Sequence, residues 1–350
     1  MALGYHSRPL PVLSDFAIET KSLTRTYQSY RKPEGLLNSI RGFWSREYIE
    51  KVALAPTTFQ IEGGQIIGLV GGNGAGKTTL LKLLSGLIYP SAGEAKILGY
   101  NPWDRQDAYL RQISILLGQK NQLWWDIPAA DSFNLLARIY DLDPTEAKQR
   151  VSFLAELLRC QEQLHVQLRR LSLGERMKME LIGALLHKPK ILFLDEPTIG
   201  LDIIAQTTIR EFLAEYVTIE KPTVILTSHY MDDISRLAKR LFLISKGQIV
   251  YDGTVVGFMS KTESLQKLTL KLQAPLSATL ELTQNITLAA GVEFVELELR
   301  ERDVSGVLQK LLSLGSVQDL KIEEADFEDV IRQFLEKDSR LRPTGNPGSA

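Results

Sequence analysis

Short apolar runs rich in β-branched residues alternate with helically spaced apolar positions from Phe16 to about Gly253, a pattern that predicts a sheet with parallel strands wrapped by helices. Residues 65–71, 190–195 and Thr223–Thr227 read as buried strands, because their apolar positions are continuous rather than alternating. A helix is expected over 77–85, directly after the first of these. Residues 241–245 and 248–251 read as a hairpin turning at Lys246-Gly247. Between Pro128 and Leu168 the spacing is wholly helical, with Leu135, Leu136, Ile139 and Leu142, then Val151, Leu154, Leu157 and Leu158 on apolar faces. That is a helical insert in an α/β domain.

After residue 257 the texture changes. Strands are expected over 267–272, 292–299 and 317–322 and helices over 304–314 and 327–335, which makes 258–337 a small α+β domain. The Pro/Gly-rich residues 338–350 are expected to be a disordered tail, and 1–15 an N-terminal extension. Residues 30–52 interrupt the first domain. Leu36, Leu37, Ile40, Phe43 and Trp44 fall at helical spacing among Arg31, Lys32, Arg41 and Arg46, which predicts a basic amphipathic helix packed on its own domain, on a membrane protein or at a membrane interface.

Composition narrows the class. Hydrophobic residues at 44% and charged residues at 24% are ordinary for a globular chain, and a formal net charge of −1 offers no bulk attraction to nucleic acid. The single cysteine, Cys160, has no partner for an internal disulfide and points to a reducing compartment. Pro9 and Pro11 break up the first residues, which do not read as a secretory signal. The strongest apolar runs, Ile66–Val70 and 191–194, have strand length and are too short to span a bilayer.

The chemistry begins at Gly71-Gly72-Asn73-Gly74-Ala75-Gly76-Lys77-Thr78, which fits G-x-x-x-x-G-K-[ST] between a predicted strand and a predicted helix. Such a loop turns backbone N–H groups toward phosphates at a helix start. Lys77 would reach the β- and γ-phosphates and Thr78 would place its hydroxyl on Mg²⁺; Thr79 follows in the same turn. The run 190–196 ends an apolar strand in two carboxylates, at the strand edge where α/β sheets bind ligands. Asp195 would hold Mg²⁺, and Glu196 would orient or activate water beside the γ-phosphate.

Four further segments narrow the family. Leu171-Ser172-Leu173-Gly174-Glu175 precedes the second strand; Gln119 follows the apolar run Ile113–Leu117; Ile199-Gly200-Leu201-Asp202 follows Glu196; and His229 follows Thr223–Thr227. In kind, order and spacing these resemble the signature sequence, Q-loop, D-loop and switch histidine of ATP-binding-cassette (ABC) ATPases, over roughly residues 16–253. The resemblance implies a mixed-sheet P-loop NTPase cassette with a helical subdomain at about 120–185. It implies an ATPase with ATP and Mg²⁺ bound by Tyr27, Gly71, Asn73, Gly74, Ala75, Gly76, Lys77, Thr78, Thr79 and Asp195, with Gln119 also on the metal. Gln119, Glu196 and His229 would be catalytic, Ser172 and Gly174 would face nucleotide held by a second subunit, and Asp202 would also be nucleotide-binding. Tyr48 competes with Tyr27 as the aromatic that stacks on adenine. Leu173 stands where the family usually has glycine, Glu175 where it has glutamine, and Gly72 where proline is common.

The run 171–202 is similar to the ATPase subunits of export-type bacterial transporters for multidrug, viologen-type and polysaccharide cargo. The implied partners are a second nucleotide-binding subunit, expected to be an identical chain, and integral-membrane permease subunits. The implied place is the cytoplasmic face of the inner membrane, peripheral through the permease. Trp124 and Trp125 lie where such subunits receive a permease helix, and neighbouring side chains of an extended segment cannot both point into one core.

Overall fold

The computed structural model describes residues 16–30, 48–118, 121–228, 230–261, 265–276, 279–283, 286–313, 317–324, 331 and 334. The chain divides into two compact units, Met1–Asp252 and Gly253–Ala350.

The first unit opens with β1 (Phe16–Tyr30) and β2 (Tyr48–Glu62), an antiparallel pair running from Phe16↔Glu62 to Tyr30↔Tyr48. β3 (Ile66–Val70) leads through the glycine-rich loop into α1 (Lys77–Leu84), and β4 (Ala92–Ile97) returns to the other side of β1, giving the order β2-β1-β4. The turn α2 (Asp107–Leu110) precedes β5 (Ile113–Leu117). Then come α3 (Ala129–Ile139), α4 (Pro144–Leu157) and α5 (Leu173–Leu185), followed by β6 (Ile191–Asp195), α6 (Ile203–Glu220), β7 (Thr223–Thr227) and α7 (Met231–Leu237), before β8 (Arg240–Ser245) and β9 (Gln248–Thr254) close the unit. The second sheet has six strands in the order β5-β6-β7-β3-β8-β9, with parallel pairing from β5 to β8.

Every residue of β3, β6 and β7 is buried, which is why these segments are apolar without alternation. One core joins the two sheets around α1: Ile18, Leu54 and Phe59 from the antiparallel sheet meet Leu69, Leu80, Leu84 and Phe242. The Phe59 and Phe242 rings make an edge contact at 5.0 Å. The expected turn at Lys246-Gly247 has both residues in the left-handed region, φ 47° and 78°, as a two-residue hairpin loop requires. It also supports the glycine-rich loop: the Gly247 N–H donates to the Ala75 carbonyl at 2.8 Å, and the Ala55 N–H donates to the Gly247 carbonyl at 2.8 Å.

The amphipathic helix expected over 30–52 is corrected at both ends. Tyr30 and residues 48–52 are strand, paired as Tyr30↔Tyr48, Gln28↔Glu50 and Thr26↔Val52. Strand pairing across the insertion outweighs the local helical spacing, since an unpaired extended backbone would leave polar groups unsatisfied. Leu36, Leu37, Ile40, Phe43 and Trp44 lie outside the described residues.

The second unit begins with α8 (Val255–Lys261) and continues through β10 (Leu265–Leu272), the short hairpin β11 (Leu280–Thr283) and β12 (Ile286–Leu288), β13 (Phe294–Arg300), α9 (Glu301–Leu312) and β14 (Val317–Glu324). The central strand β10 pairs antiparallel with β13 on one side and β14 on the other. Leu268, Leu270, Val295, Leu299, Val304, Val307 and Leu311 form its core, so one sheet face is covered by α9. The sequence pattern shows three of these strands and misses β11 and β12. The helix expected over 327–335 lies outside the described residues except at Ile331 and Phe334, as do the tail 338–350 and the extension 1–15.

Candidate functional site

The glycine-rich loop leaves the end of β3 and enters α1 at Lys77. The Lys77 ammonium is buried and donates to the carbonyl oxygens of Gly71 at 2.7 Å and Gly72 at 3.2 Å. Burial pulls its pKa below the ordinary lysine value, and the Glu196 and Asp195 carboxylates act in the opposite direction. Ala75 is buried, with its N–H on the Gly72 carbonyl at 3.1 Å, whereas Asn73 and Gly74 are exposed at the loop tip. Gly76 is buried, and Thr79 is half-buried on the first turn of α1.

Thr78 and Asp195 are far apart in the sequence and adjacent in space. The Thr78 hydroxyl donates to Asp195 Oδ2 at 2.9 Å, and the Thr227 hydroxyl donates to Asp195 Oδ1 at 2.7 Å. Parallel pairing of β6 and β7 aligns Asp195 with Thr227, which fixes the carboxylate at the strand ends beside the loop. Glu196 follows with φ 56°, a backbone conformation that costs a non-glycine residue roughly 1–2 kcal/mol. Its N–H is held by the Thr227 carbonyl at 3.1 Å and the Thr227 hydroxyl at 3.0 Å. Among the described residues no group of three or more His, Cys, Asp or Glu side chains is placed to hold a metal ion. One carboxylate and one hydroxyl, both hard oxygen donors 2.9 Å apart at a phosphate loop, do fit Mg²⁺, which commonly takes one or two carboxylates and completes its shell with phosphate and water.

Ser172, Gly174 and Asp202 belong to a second cluster, built by the starts of α5 and α6. Ser172 caps α5: its Oγ accepts from the Glu175 N–H at 3.3 Å, and its own N–H donates to Glu175 Oε2 at 2.9 Å. The Ser172 hydroxyl also donates to Glu175 Oε2 at 2.8 Å. Glu175, which in the sequence stands where the family has glutamine, is therefore half of a capping box; S-x-x-E is the signal that announces it. These bonds from Ser172 hold the Glu175 carboxyl below the usual range. Asp202 caps α6 through the Ala205 N–H at 2.8 Å. A methyl group on Gly174 would stand 2.7 Å from Ala205 Cβ, so α5 and α6 meet at a point only glycine fits. Leu173 leans toward Gly200, whose own added methyl would lie 3.4 Å from Leu173 Cδ2.

Gln119 and His229 lie outside the described residues, but the chain around Gln119 is fixed on both sides. The Gly118 N–H donates to the Asp195 carbonyl at 2.9 Å, and the Gln122 N–H donates to the buried Glu180 carboxylate at 3.0 and 3.1 Å. Sequence reasoning missed Glu180, because nothing in an α5 helical pattern marks which carboxylate turns inward. Leu123 is buried, while Trp124 and Trp125 are 42% and 43% exposed. The Arg176 guanidinium lies 4.9 Å from the Trp125 ring centre. Trp125, Arg176, Leu173, Gly118 and Gly200 line a cleft of about 430 Å³.

Tyr27 lies on β1 opposite Lys51, two residues from Ala53. The Ala53 carbonyl in turn approaches Gly76 and Gly247, where an added methyl would stand 2.6 Å and 3.1 Å from it. The tyrosine is 38% exposed, with the Arg25 guanidinium 4.5 Å from its ring centre. Tyr48 pairs with Tyr30, three positions further from the loop.

A family model described as ABC transporter matches residues 54–199. The ABC transporter ATP-binding protein NatA of Bacillus subtilis (strain 168) is 30% identical over 220 residues, 63% of this chain and 89% of that protein. The Nod factor export ATP-binding protein I of Burkholderia thailandensis is 32% identical over 208 residues, 59% of this chain and 68% of that protein. The fold is shared with the ATP-binding cassette MJ0796, solved as a dimer in a post-hydrolysis state with ADP and Pi, at a TM-score of 0.56 and 21% identity over 68% of this chain and 98% of that one. The match to the ABC transporter family and the 30% identity to NatA over 89% of that protein show that this chain, with its phosphate loop and buried lysine, is an ATP-binding, ATP-hydrolysing member of the ABC transporter family.

Proposed function

We propose that the chain drives an export-type ABC transporter by closing in pairs around two ATP molecules against separate permease subunits. The observation that carries this reading is the single cluster of Lys77, Thr78, Asp195 and Glu196 beside the glycine-rich loop. Thr78 and Asp195 are the residues that would hold Mg²⁺, which when bound with ATP offsets phosphate charge. Lys77 and the loop N–H groups bind the phosphates, Tyr27 stacks on adenine, and Glu196, with Gln119 and His229, orients the attacking water. The placing of Ser172 and Asp202 at the starts of two helices, where they cap those helices and, among the described residues, make no hydrogen bond to Lys77, Thr78 or Asp195, supports a site completed by Ser172 and Gly174 of a second, identical chain. Similarity to a Nod factor export protein supports export. No helix among the described residues is long and apolar enough to cross a membrane, which fits a place at the inner face of the membrane, held there by the permease. Residues 258–337 serve as an accessory domain.

Mixing a Lys77→Ala chain with a Ser172→Ala chain tests the shared site. In the mixed pair one site carries both lesions and the other neither, so ATP retention is expected to return in the mixture while each variant alone fails. Full retention by either variant on its own overturns the sharing.

The exposed tryptophans beside the cleft support permease docking there. Trp125→Ala is expected to weaken co-purification with the permease by about 2 kcal/mol of binding and to spare ATP affinity. Trp124→Ala is expected to act in the same direction. Unchanged co-purification with a lowered melting temperature for both would make these rings part of the subunit's own packing.

A further inference from the structure

Asp233, on the first turn of α7, is 1% exposed, and three separate segments meet on its carboxylate. The Thr198 hydroxyl donates to Oδ2 at 2.5 Å and the Ser228 hydroxyl donates to the same oxygen at 2.6 Å. On the other side Arg210 Nε, from α6, lies 2.9 Å from Oδ1. Thr198 is two residues after Glu196. Ser228 is the residue after Thr227 and the one before His229. Arg210 stands on the helix that Asp202 caps.

Two adjacent hydroxyls at the end of β7 therefore serve two different carboxylates. Thr227 donates to Asp195, and Ser228 donates to Asp233. Successive side chains of an extended segment point to opposite sides, so the same short segment is pinned from both. The Ser228 oxygen also accepts from the Tyr230 N–H at 2.9 Å, which shapes the chain on the far side of residue 229. A buried carboxylate is tolerated only when it is paired or hydrogen-bonded; here both hydrogen bonds fall on Oδ2, from Thr198 and Ser228 beside Glu196 and residue 229, and Arg210 of α6 supplies the ion pair at Oδ1. Glu196 itself sits in a left-handed conformation, φ 56°, which persists only where its surroundings over-determine it. The tie from Thr198 to Asp233 is one of those constraints.

We infer that Asp233 is a positioning residue for ATP hydrolysis: through Thr198 and Ser228 it sets the turn that carries Glu196 and the segment that leads into residue 229 at one fixed separation. The inference rests on the reading that Glu196 directs water, and it concerns the hydrolytic step rather than nucleotide binding, since Lys77 and Thr78 make no use of this carboxylate. Asp233→Asn keeps the size of the side chain but turns one acceptor into a donor facing a hydroxyl or a guanidinium.

The test uses the full-length chain, with phosphate release for kcat and KM, fluorescent ATP-analogue titration for binding, and melting temperature as the control for folding. Asp233→Asn is expected to lower kcat between roughly ten- and a hundred-fold, as sub-ångström misplacement of catalytic groups does, with analogue affinity within about two-fold of the unaltered chain. Thr198→Val is expected to give a smaller fall of the same kind and Thr198→Ser to restore the rate, because only the hydroxyl is needed. If Asp233→Asn does not fold, the Thr198→Val and Thr198→Ser pair decides the matter alone. An unchanged kcat in Asp233→Asn, a loss equal in Thr198→Ser and Thr198→Val, or a loss in analogue affinity that accounts for the rate overturns the inference. Glu196→Gln in the same assay separates the two levels. If it is inactive while Asp233→Asn is fully active, only the positioning role fails; if it is active, the role of Glu196 fails first.

Discussion

Glu196→Gln is expected to lower ATP hydrolysis by about 100-fold or more while ATP still binds and the paired form accumulates. The substitution keeps the size of the side chain and removes only its capacity to direct or accept a proton from water. Lys77→Ala should fail at the earlier step. The Lys77 ammonium is the buried cation at the loop, held between two loop carbonyls and the fields of Asp195 and Glu196, and its exchange onto phosphate oxygens is a charge-assisted contact. Loss of such a contact costs about 1.5–3 kcal/mol, roughly ten- to a hundred-fold in ATP affinity. Analogue titration and size-exclusion chromatography with ATP separate the two variants. An equally active Glu196→Gln chain would remove Glu196 from the mechanism. A Lys77→Ala chain that binds ATP normally would remove Lys77 from phosphate recognition.

The second large effect is confined to one of two neighbouring glycines. A methyl group on Gly71 would stand 2.2 Å from the Ile244 carbonyl oxygen and 2.8 Å from Ile244 Cγ2, whereas one on Gly72 meets nothing within 4 Å. Ile244 belongs to β8, which pairs with β3 in register at Val70↔Leu243, so neither backbone can yield without moving a central strand. Gly71→Ala is therefore expected to cost roughly 1–3 kcal/mol in stability and to displace the loop enough to lower ATP affinity about ten-fold. Gly72→Ala should leave binding intact and change stability by less than about 1 kcal/mol, through the unfolded chain alone. Chemical denaturation and analogue titration of the two variants give the comparison. Equal behaviour of both would mean that the loop is not clamped at Gly71.

Features whose physics is local are legible from the residues alone. A phosphate loop needs its glycines, lysine and threonine at fixed offsets between a strand and a helix, so residues 71–78 announce their structure and their ligand together. β3, β6 and β7 were legible because burial on both faces leaves an uninterrupted apolar run, and the Lys246-Gly247 hairpin because its turn demands positive φ. Glu175 was half-legible: S-x-x-E spells a capping box, yet the same residue at a signature sequence invites a reading as nucleotide chemistry. Whatever depends on a partner far along the chain becomes visible only in the folded molecule. Residues 48–52 carry a pattern compatible with a helix and become strand because β1 supplies the opposing backbone. β11 and β12 are too short to be read without each other. Asp195 and Thr78 lie far apart in the chain and become a pair only when β6 lies in the same sheet as β3. Asp233 and Glu180 look like ordinary helical carboxylates until folding turns them inward onto Thr198, Ser228 and the Gln122 backbone. A hydrogen-bond partner from a distant segment has no signature in local spacing, because the direction in which a side chain points is set by the packing of the whole sheet.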